Sequence, residues 1–115
     1  MGHCYEMAKG SGTTFVLDSS NLPILKGAID YANIGLIPKG CYDNKKFVGN
    51  NYILENEIDE SLLNVMFNPE TSGGLLITVP ENEVEDILEK LKEIPTRFAV
   101  IGRVVEKSEK YLTIK

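Results

Sequence analysis

The sequence predicts an α/β (α+β) fold, a mixed β-sheet with helices packed on its faces. Segments 13–18 and 98–105 are rich in β-branched and aromatic residues, a composition typical of strands. After Pro80, apolar residues recur at the spacing of one helix face, at Val84, Ile87, Leu88 and Leu91. Strand-like and helical segments alternate along the chain, which is the pattern of a sheet with helices on it.

Size and composition indicate one globular domain over residues 1–115. The chain has a mass of 12.8 kDa with 43% hydrophobic and 25% charged residues, which is ordinary for a single folded domain. Twelve Lys and Arg stand against 17 Asp and Glu, a net charge of −5, and no basic cluster is present. Nucleic acids and anionic membranes are therefore not expected partners.

Neither a secretory signal nor a membrane span is evident in the sequence. The first residues lack a basic segment followed by an apolar stretch, and no apolar run approaches the ~18 residues that a bilayer requires. The two cysteines, Cys4 and Cys41, are too few for a disulfide scaffold and are expected to be free thiols. These features predict a cytoplasmic protein.

The first half of the chain predicts two helices and one strand. A short helix occupies the first ten residues and ends at the cluster 10–12; because no residue caps its start, we expect it to be cut from a longer element. Thr13–Asp18 is a strand, and Ser19–Asn21 caps the helix that follows. That helix has Pro23 in its first turn and ends at Gly35.

The middle of the chain is less regular. Pro38–Asn51 contains two glycines and many polar residues, and predicts a loop with at most one short helix. Tyr52–Leu54 predicts a short strand. Asp59 is placed to cap a helix that ends before Pro69.

The last third predicts three strands around the helix that follows Pro80. Gly73–Val79 is almost continuously apolar, as expected of a central strand buried on both faces. Phe98–Val105 is a second strand, with Gly102 as a bulge. Tyr111–Ile114 alternates in polarity and predicts a final strand at the edge of the sheet.

One loop has the chemistry of an anion site. Residues 68–74 precede the predicted central strand, and they combine the hydroxyls of Thr71 and Ser72 with two glycines whose backbone N–H groups an anion can approach. The alternative is that Gly73 and Gly74 only turn the chain into the strand. Glu70 opposes an anion unless a divalent metal or nearby cations offset its charge.

Other patterns in the sequence are weaker evidence for a functional site. The cluster 10–12 is not a dinucleotide fingerprint, because it precedes a strand and the third glycine is missing. His3 and Glu6 lie one helical turn apart, yet a lone histidine is more often solvated than ligating. Cys41 has lysines nearby in sequence, which leaves a lowered thiol pKa as a minority interpretation. The acidic run 55–60 is best explained as a solvated helix entrance. No catalytic or metal-binding residue is predicted.

Four segments, in order, resemble the C-terminal domain of the selenophosphate synthetases, also called selenide, water dikinases, within the aminoimidazole ribonucleotide synthetase-like superfamily. The segments 2–8, 38–44, 67–76 and 99–104 are similar to the family patterns G-H-x-x-E-M-A, P-x-G-x-Y-x-N, F-D-P-Q-T-S-G-G-L-L and A-x-I-G-x-V. The resemblance covers the whole chain. Asn68 replaces the usual aspartate of the third pattern, and Glu70 replaces its glutamine.

The resemblance implies a role within a larger enzyme. Members of this family convert ATP, hydrogen selenide and water into selenophosphate, AMP and phosphate with Mg²⁺. Their catalytic Cys or selenocysteine, the nearby Lys and the aspartates that bind magnesium and ATP belong to a preceding ATP-binding domain that this chain lacks. The chain alone is therefore expected to be inactive and to bind neither ATP nor Mg²⁺ tightly.

The resemblance also implies which residues face the cleft between the two domains, where phosphate or a selenide-derived anion is handled. These residues are Thr71, Ser72, Gly73 and Gly74 first, then Tyr42, Asn44, Gly2 and His3. The expected partners are the chain's own N-terminal domain and, through it, ATP and selenide. Without that domain the chain is expected to self-associate. The alternative is a free-standing module that binds small anions or regulates another protein.

Overall fold

A computed structural model describes all residues 1–115 and contains five α-helices and four strands. The helices are α1 Gly2–Ser11, α2 Ala28–Asn33, α3 Lys39–Val48, α4 Glu60–Met66 and α5 Val84–Leu91. The strands are β1 Thr13–Leu17, β2 Tyr52–Leu54, β3 Gly102–Glu106 and β4 Leu112–Ile114. They form one sheet in the order β2-β4-β1-β3, so the predicted α/β class with a mixed sheet is confirmed. None of the helices has the length and apolarity needed to span a bilayer.

The sheet is organised around β1. This strand is parallel to β4 on one side and antiparallel to β3 on the other, so Phe15 lies between Leu112 and Val104. The prediction that the last strand lies at an edge is wrong, because β4 is bonded to both β1 and β2 and all three of its residues are buried. Thr113 gave that segment its polar alternation, but a threonine fits a buried sheet when its neighbours cover it.

The core lies between the sheet and α1, α3 and the end of α4. Its buried members are Tyr5, Ala8, Phe15, Leu17, Cys41, Val48, Phe67 and Leu112. Helix α1 ends at Gly12, whose φ of 66° is the left-handed conformation that glycine adopts without strain, and this termination was predicted. At its start, the Met1 nitrogen donates to the Met66 carbonyl oxygen at 3.0 Å, which fastens α1 to the end of α4.

Two helix predictions need correction. The second helix begins at Ala28 rather than near Pro23, because Gly27 at φ 86° breaks the helical backbone; Ser19–Asn21 forms a separate 3₁₀ turn capped by Asp18. The region predicted as a loop contains the ten-residue helix α3. Its two buried anchors, Cys41 and Val48, are seven residues apart, and the mostly polar residues between them concealed the helix.

The predicted central strand at Gly73–Val79 is wrong. The segment belongs to no strand, and its backbone groups from Gly74 to Val79 make no hydrogen bonds. Leu75 is 90% exposed and Ile77 is 56% exposed. The physical reason is that β1, the strand at the centre, already has β3 on one side and β4 on the other, which leaves no vacant position in the middle of the sheet.

The remaining elements agree with the sequence. Strand β2 and helix α5 form where predicted, and the Asp59 carboxylate caps α4 by accepting from the N–H groups of Ser61 and Leu62. The strand predicted at Phe98–Val105 forms over Gly102–Glu106. The bulge at Gly102 is wrong, because this residue pairs one-to-one with Leu17.

We expect Gly102→Ala to destabilise the fold. A Cβ at this position would overlap the Val16 carbonyl oxygen, and backbone cannot move aside as a flexible side chain does. The free energy of unfolding in urea should fall by about 3 kcal/mol. Gly10→Ala is the control, since a Cβ there meets nothing within 4 Å; an equal loss in both variants would contradict the explanation.

Both thiols are protected by the fold. Cys41 is fully buried, and its Sγ lies 3.3 Å from the Asn64 carbonyl oxygen as a donor. Burial raises the pKa of the Cys41 thiol despite the positive charge of Lys45 nearby, and burial likewise raises the pKa of the Cys4 thiol. A lowered pKa at Cys41, the minority interpretation of the sequence, is therefore wrong.

The raised thiol pKa values predict a loss of stability at alkaline pH. An unfolded thiol ionises near pH 8.5, before the folded thiol does. The stabilisation is thus complete below about pH 8.5 and is lost as the pH rises through the folded pKa. In reducing buffer, the free energy of unfolding should fall more steeply between pH 7 and pH 10 for the natural chain than for a Cys4→Ala, Cys41→Ala variant. Identical slopes would contradict this account.

Candidate functional site

Half of the predicted site residues line one groove of about 370 Å³. The groove lies where the start of α1, the exposed side of α3 and the loop after α4 meet. Of the predicted residues, Gly2, His3, Asn44 and Thr71 line it. Its other lining residues are Met1, Glu6, Phe47, Met66, Asn68, Pro69 and Glu70.

Asn44 joins the three segments that form the groove. Its Nδ2 donates to the Phe67 carbonyl oxygen at 2.9 Å, which fixes the chain as it leaves α4. A Cβ on Gly2 would lie 3.3 Å from the Asn44 Oδ1, so the side chain also rests against the first turn of α1. Helix α3 thereby sets the distance between α1 and the loop 68–74.

The loop after α4 is held from two sides. The Phe67 ring is fully buried and meets the Tyr52 ring edge-on at 5.5 Å between centroids. A Cβ on Gly40 would lie 2.8 Å from the Pro69 Cγ, so α3 and the loop approach as closely as glycine allows. The entry to the loop is therefore a fixed part of the fold.

Further along, the loop makes a tight turn. The Gly73 N–H donates to the Glu70 carbonyl oxygen at 3.1 Å, and a Cβ on Gly73 would lie 3.1–3.2 Å from atoms of Glu70. The Asn68 amide Nδ2 donates to the Glu70 carboxylate. The backbone N–H of Gly73 is thus occupied within the loop, whereas a Cβ on Gly74 would meet nothing within 4 Å.

Four of the predicted site residues lie outside the groove. Ser72, Gly73 and Gly74 are exposed beyond its rim, and Tyr42 is 56% exposed on α3. Tyr42 and Asn44 are on a helix, not on the polar loop that the sequence predicted. Because positions 42 and 44 are two residues apart, the helix points them in different directions.

The groove is negatively charged. Glu6 and Glu70 line it, and no lysine or arginine does. Two of the three lysines of α3 have other partners: Lys39 is 2.7 Å from the Asp43 carboxylate, and Lys45 donates to the Asn64 side chain. The ammonium of Met1, which also lines the groove, donates to the Met66 carbonyl oxygen, so an anion bound here needs further positive charge from outside the groove. No group of three or more His, Cys, Asp or Glu side chains in the chain is placed to hold a metal ion.

Several groove residues were not among the predicted site residues. Glu6 and Asn68 stand within the quoted segments 2–8 and 67–76, so their segments were identified although they were not selected. Phe47 lies one turn after Asn44 on α3. Phe47 was missed because the region was interpreted as a loop. A spacing of three residues places two side chains on the same face in a helix but not in a loop.

The comparisons with known proteins agree on one family. A sequence profile described as AIR synthase related protein, C-terminal domain, matches residues 1–115. The chain is 38% identical over 115 residues to a selenide, water dikinase of Clostridium botulinum and covers 33% of that protein. It is 44% identical over 110 residues, or 95% of its length, to the selenide, water dikinase of Caldanaerobacter subterraneus subsp. tengcongensis, of which it covers 32%.

A selenide, water dikinase of Treponema denticola is 40% identical over 119 residues, which is 99% of this chain and 33% of that protein. The chain therefore spans about a third of the length of the relatives it matches. The family profile, by contrast, matches the whole chain. The chain belongs to the family of the AIR synthase related protein, C-terminal domain.

Proposed function

We propose that this chain is the C-terminal domain of a selenide, water dikinase. The observation that carries the proposal is the similarity of 38–44% identity along nearly the whole chain to proteins of that name. Three of the four quoted segments also meet at one groove. In the intact protein, the reaction is the formation of selenophosphate, AMP and phosphate from ATP, selenide and water.

In this proposal the chain forms one wall of the cleft, and its partner is the ATP-binding part of the same protein. The Thr71–Gly74 loop faces that part. Asn44 and Gly40 support this role, because they fix the loop's entry through contacts with Phe67 and Pro69. The Thr71 hydroxyl at the groove is available to donate a hydrogen bond to a bound oxyanion.

The charges of the groove define what this wall contributes. Because Glu6 and Glu70 line it and no lysine or arginine does, we do not expect it to hold ATP phosphates by itself. We propose that Mg²⁺ and the cations that neutralise the phosphates are held by the remaining two thirds of the protein, and that the whole acts in the cytoplasm.

The first test concerns the native protein. An antibody against this chain should detect a protein about three times the chain's mass in extracts of the source cell. The protein purified on that antibody should release AMP from ATP only when selenide and Mg²⁺ are present. A native mass of 12.8 kDa without this activity would replace the proposal with the free-standing module.

The second test separates a functional loop from a simple turn. Gly73→Val places a branched side chain against Glu70, where even a Cβ is 3.1–3.2 Å from its atoms, and so displaces the loop. In the intact protein, we expect selenide-dependent AMP release to fall by about tenfold, or about 1.4 kcal/mol of transition-state stabilisation. The free energy of unfolding should change by less than about 1 kcal/mol, because the loop is exposed.

Gly10→Val is the matched control for this substitution. Gly10 is exposed on α1, and a Cβ there meets nothing within 4 Å. We expect activity and stability to stay near their natural values, since valine is no worse than glycine within a helix. Proportional losses of activity and stability in Gly73→Val would show that the loop is only a turn.

A further inference from the structure

The side-chain oxygens that remain free in the groove are mostly hydrogen-bond acceptors. The Asn44 Oδ1 accepts no hydrogen bond, because this amide is engaged only through its Nδ2, which donates to the Phe67 carbonyl oxygen. Neither the Glu6 nor the Glu70 carboxylate forms an ion pair. A surface of free acceptors is complementary to a ligand that donates hydrogen bonds and carries positive charge.

The Glu70 carboxylate is held in a defined position over the loop. Its Oε1 accepts a hydrogen bond from the Asn68 amide. Its Oε2 lies against Gly73, where a Cβ would be only 3.2 Å away, so a side chain at position 73 would displace it. Glu70 therefore differs from a flexible acidic side chain on the surface, because it is fixed at the groove with one oxygen free of hydrogen bonds.

A cation already lies at one end of this groove. The Met1 ammonium lines it and donates to the Met66 carbonyl oxygen at 3.0 Å. Burial lowers the pKa of this ammonium, whereas the negative charge of Glu70 acts in the opposite direction. The groove thus admits an ammonium group, and the charge of Glu70 favours it. Where residue 1 is joined to a preceding residue, its nitrogen is a neutral amide, and the two carboxylates lose this positive charge.

The remaining walls of the groove also suit a cation. Phe47 lines it and is 53% exposed, and a cation is attracted to the face of an aromatic ring. The start of α1 adds about half a positive charge through the helix dipole. This is less than the two full negative charges of Glu6 and Glu70, so the groove keeps a net negative charge.

We propose that this groove is the docking site for one lysine side chain from the remaining two thirds of the protein. The inference rests on the proposed function, because it names the group of that partner which occupies the groove. Lysine fits better than arginine, since a guanidinium forms its strongest pairs with both oxygens of a carboxylate, and Asn68 already occupies one oxygen of Glu70. An ammonium needs only single acceptors, which Glu6, Glu70 and Asn44 supply.

A docked lysine resolves a conflict between the charge of the groove and its place in the cleft. Two uncompensated carboxylates would repel a phosphate near the Thr71 hydroxyl, which lines the same groove. The ammonium neutralises one of these negative charges. The same ion pair holds the two parts of the protein together beside the loop, and it is stronger there than on an open surface, because the opposite wall covers it from water.

The first arm of the test uses the 115-residue chain and does not depend on the proposed function. Acetylation of Met1 removes the chain's own ammonium, and methylammonium chloride is then titrated with detection by NMR. We expect saturable shifts of the Asn44 and Asn68 side-chain amides, with an affinity about threefold lower in Glu70→Gln. Glu89→Gln on α5 is the matched control and should bind like the natural chain. Shifts that do not saturate, or that sodium chloride reproduces, would overturn the inference.

The second arm identifies the lysine in the intact protein. A carbodiimide joins a carboxylate to an amine in contact with it, forming an amide with loss of water, and mass spectrometry identifies the joined peptides. We expect Glu6 or Glu70 to be joined to a lysine outside residues 1–115. The Lys39–Asp43 pair, 2.7 Å apart, should couple in the same sample and shows that the reagent has acted.

The outcomes distinguish a wrong inference from a wrong proposed function. Coupling of Lys39 to Asp43 without a link from Glu6 or Glu70 to an outside lysine would overturn the docked lysine, in a protein whose mass and activity still support the proposed function. A link from either carboxylate to a lysine within residues 1–115 only would overturn it as well. A native protein of the chain's own mass would overturn both, even if methylammonium binds.

Discussion

The burial of Phe67 is the constraint on which the groove depends. Its side chain is completely inaccessible and packs against Tyr52 of β2, whereas its carbonyl oxygen accepts from Asn44 of α3. Phe67 is therefore part of the core and is also the first residue of the loop after α4. Because a buried aromatic ring cannot leave the core without a large loss of stability, the loop must begin at one fixed point beside α3.

Close backbone approaches transmit that constraint through the site. Gly2 faces the Asn44 side chain, Gly40 faces Pro69, and Gly73 faces Glu70; a Cβ at each would lie between 2.8 and 3.3 Å from its neighbour. None of these three glycines has a positive φ. They are required for space and not for backbone conformation, since any side chain would separate α1, α3 and the loop. The shape of the groove therefore depends on the lack of a side chain at these three positions as well as on the polar groups that line it.

Local signals in the sequence predicted much of the fold. The caps and terminators at Gly12 and Asp59 act locally, so these helix ends could be predicted from the residues alone. The order of the strands could not be predicted in this way, because it depends on which segments occupy the two sides of β1. Gly73–Val79 has the apolar character of a central strand but lies outside a sheet whose central positions are filled by β4 and β1.

The site was predicted in part for a similar reason. The quoted patterns located Gly2, His3, Asn44 and Thr71, which do meet at the groove. Tyr42 and the residues after Thr71 were predicted from the same patterns, and neither the direction of a helix nor the turn at Glu70 is visible in a motif. A pattern of residues identifies the segments that meet, whereas helix geometry decides which of their side chains reach the same space.

The acidic character of the groove bears on how the loop after α4 must be held. Two carboxylates with no lysine or arginine beside them are a poor site for an anion, so this surface is best suited to a cleft whose other wall carries positive charge. Such a wall needs its loop held in one direction. The loop's beginning is fixed by Phe67 and Asn44, but its end leads into Gly74–Val79, which has no hydrogen-bonding partner. One end of the loop is therefore set by the core, whereas the other continues into a segment whose backbone forms no hydrogen bonds with the rest of the chain.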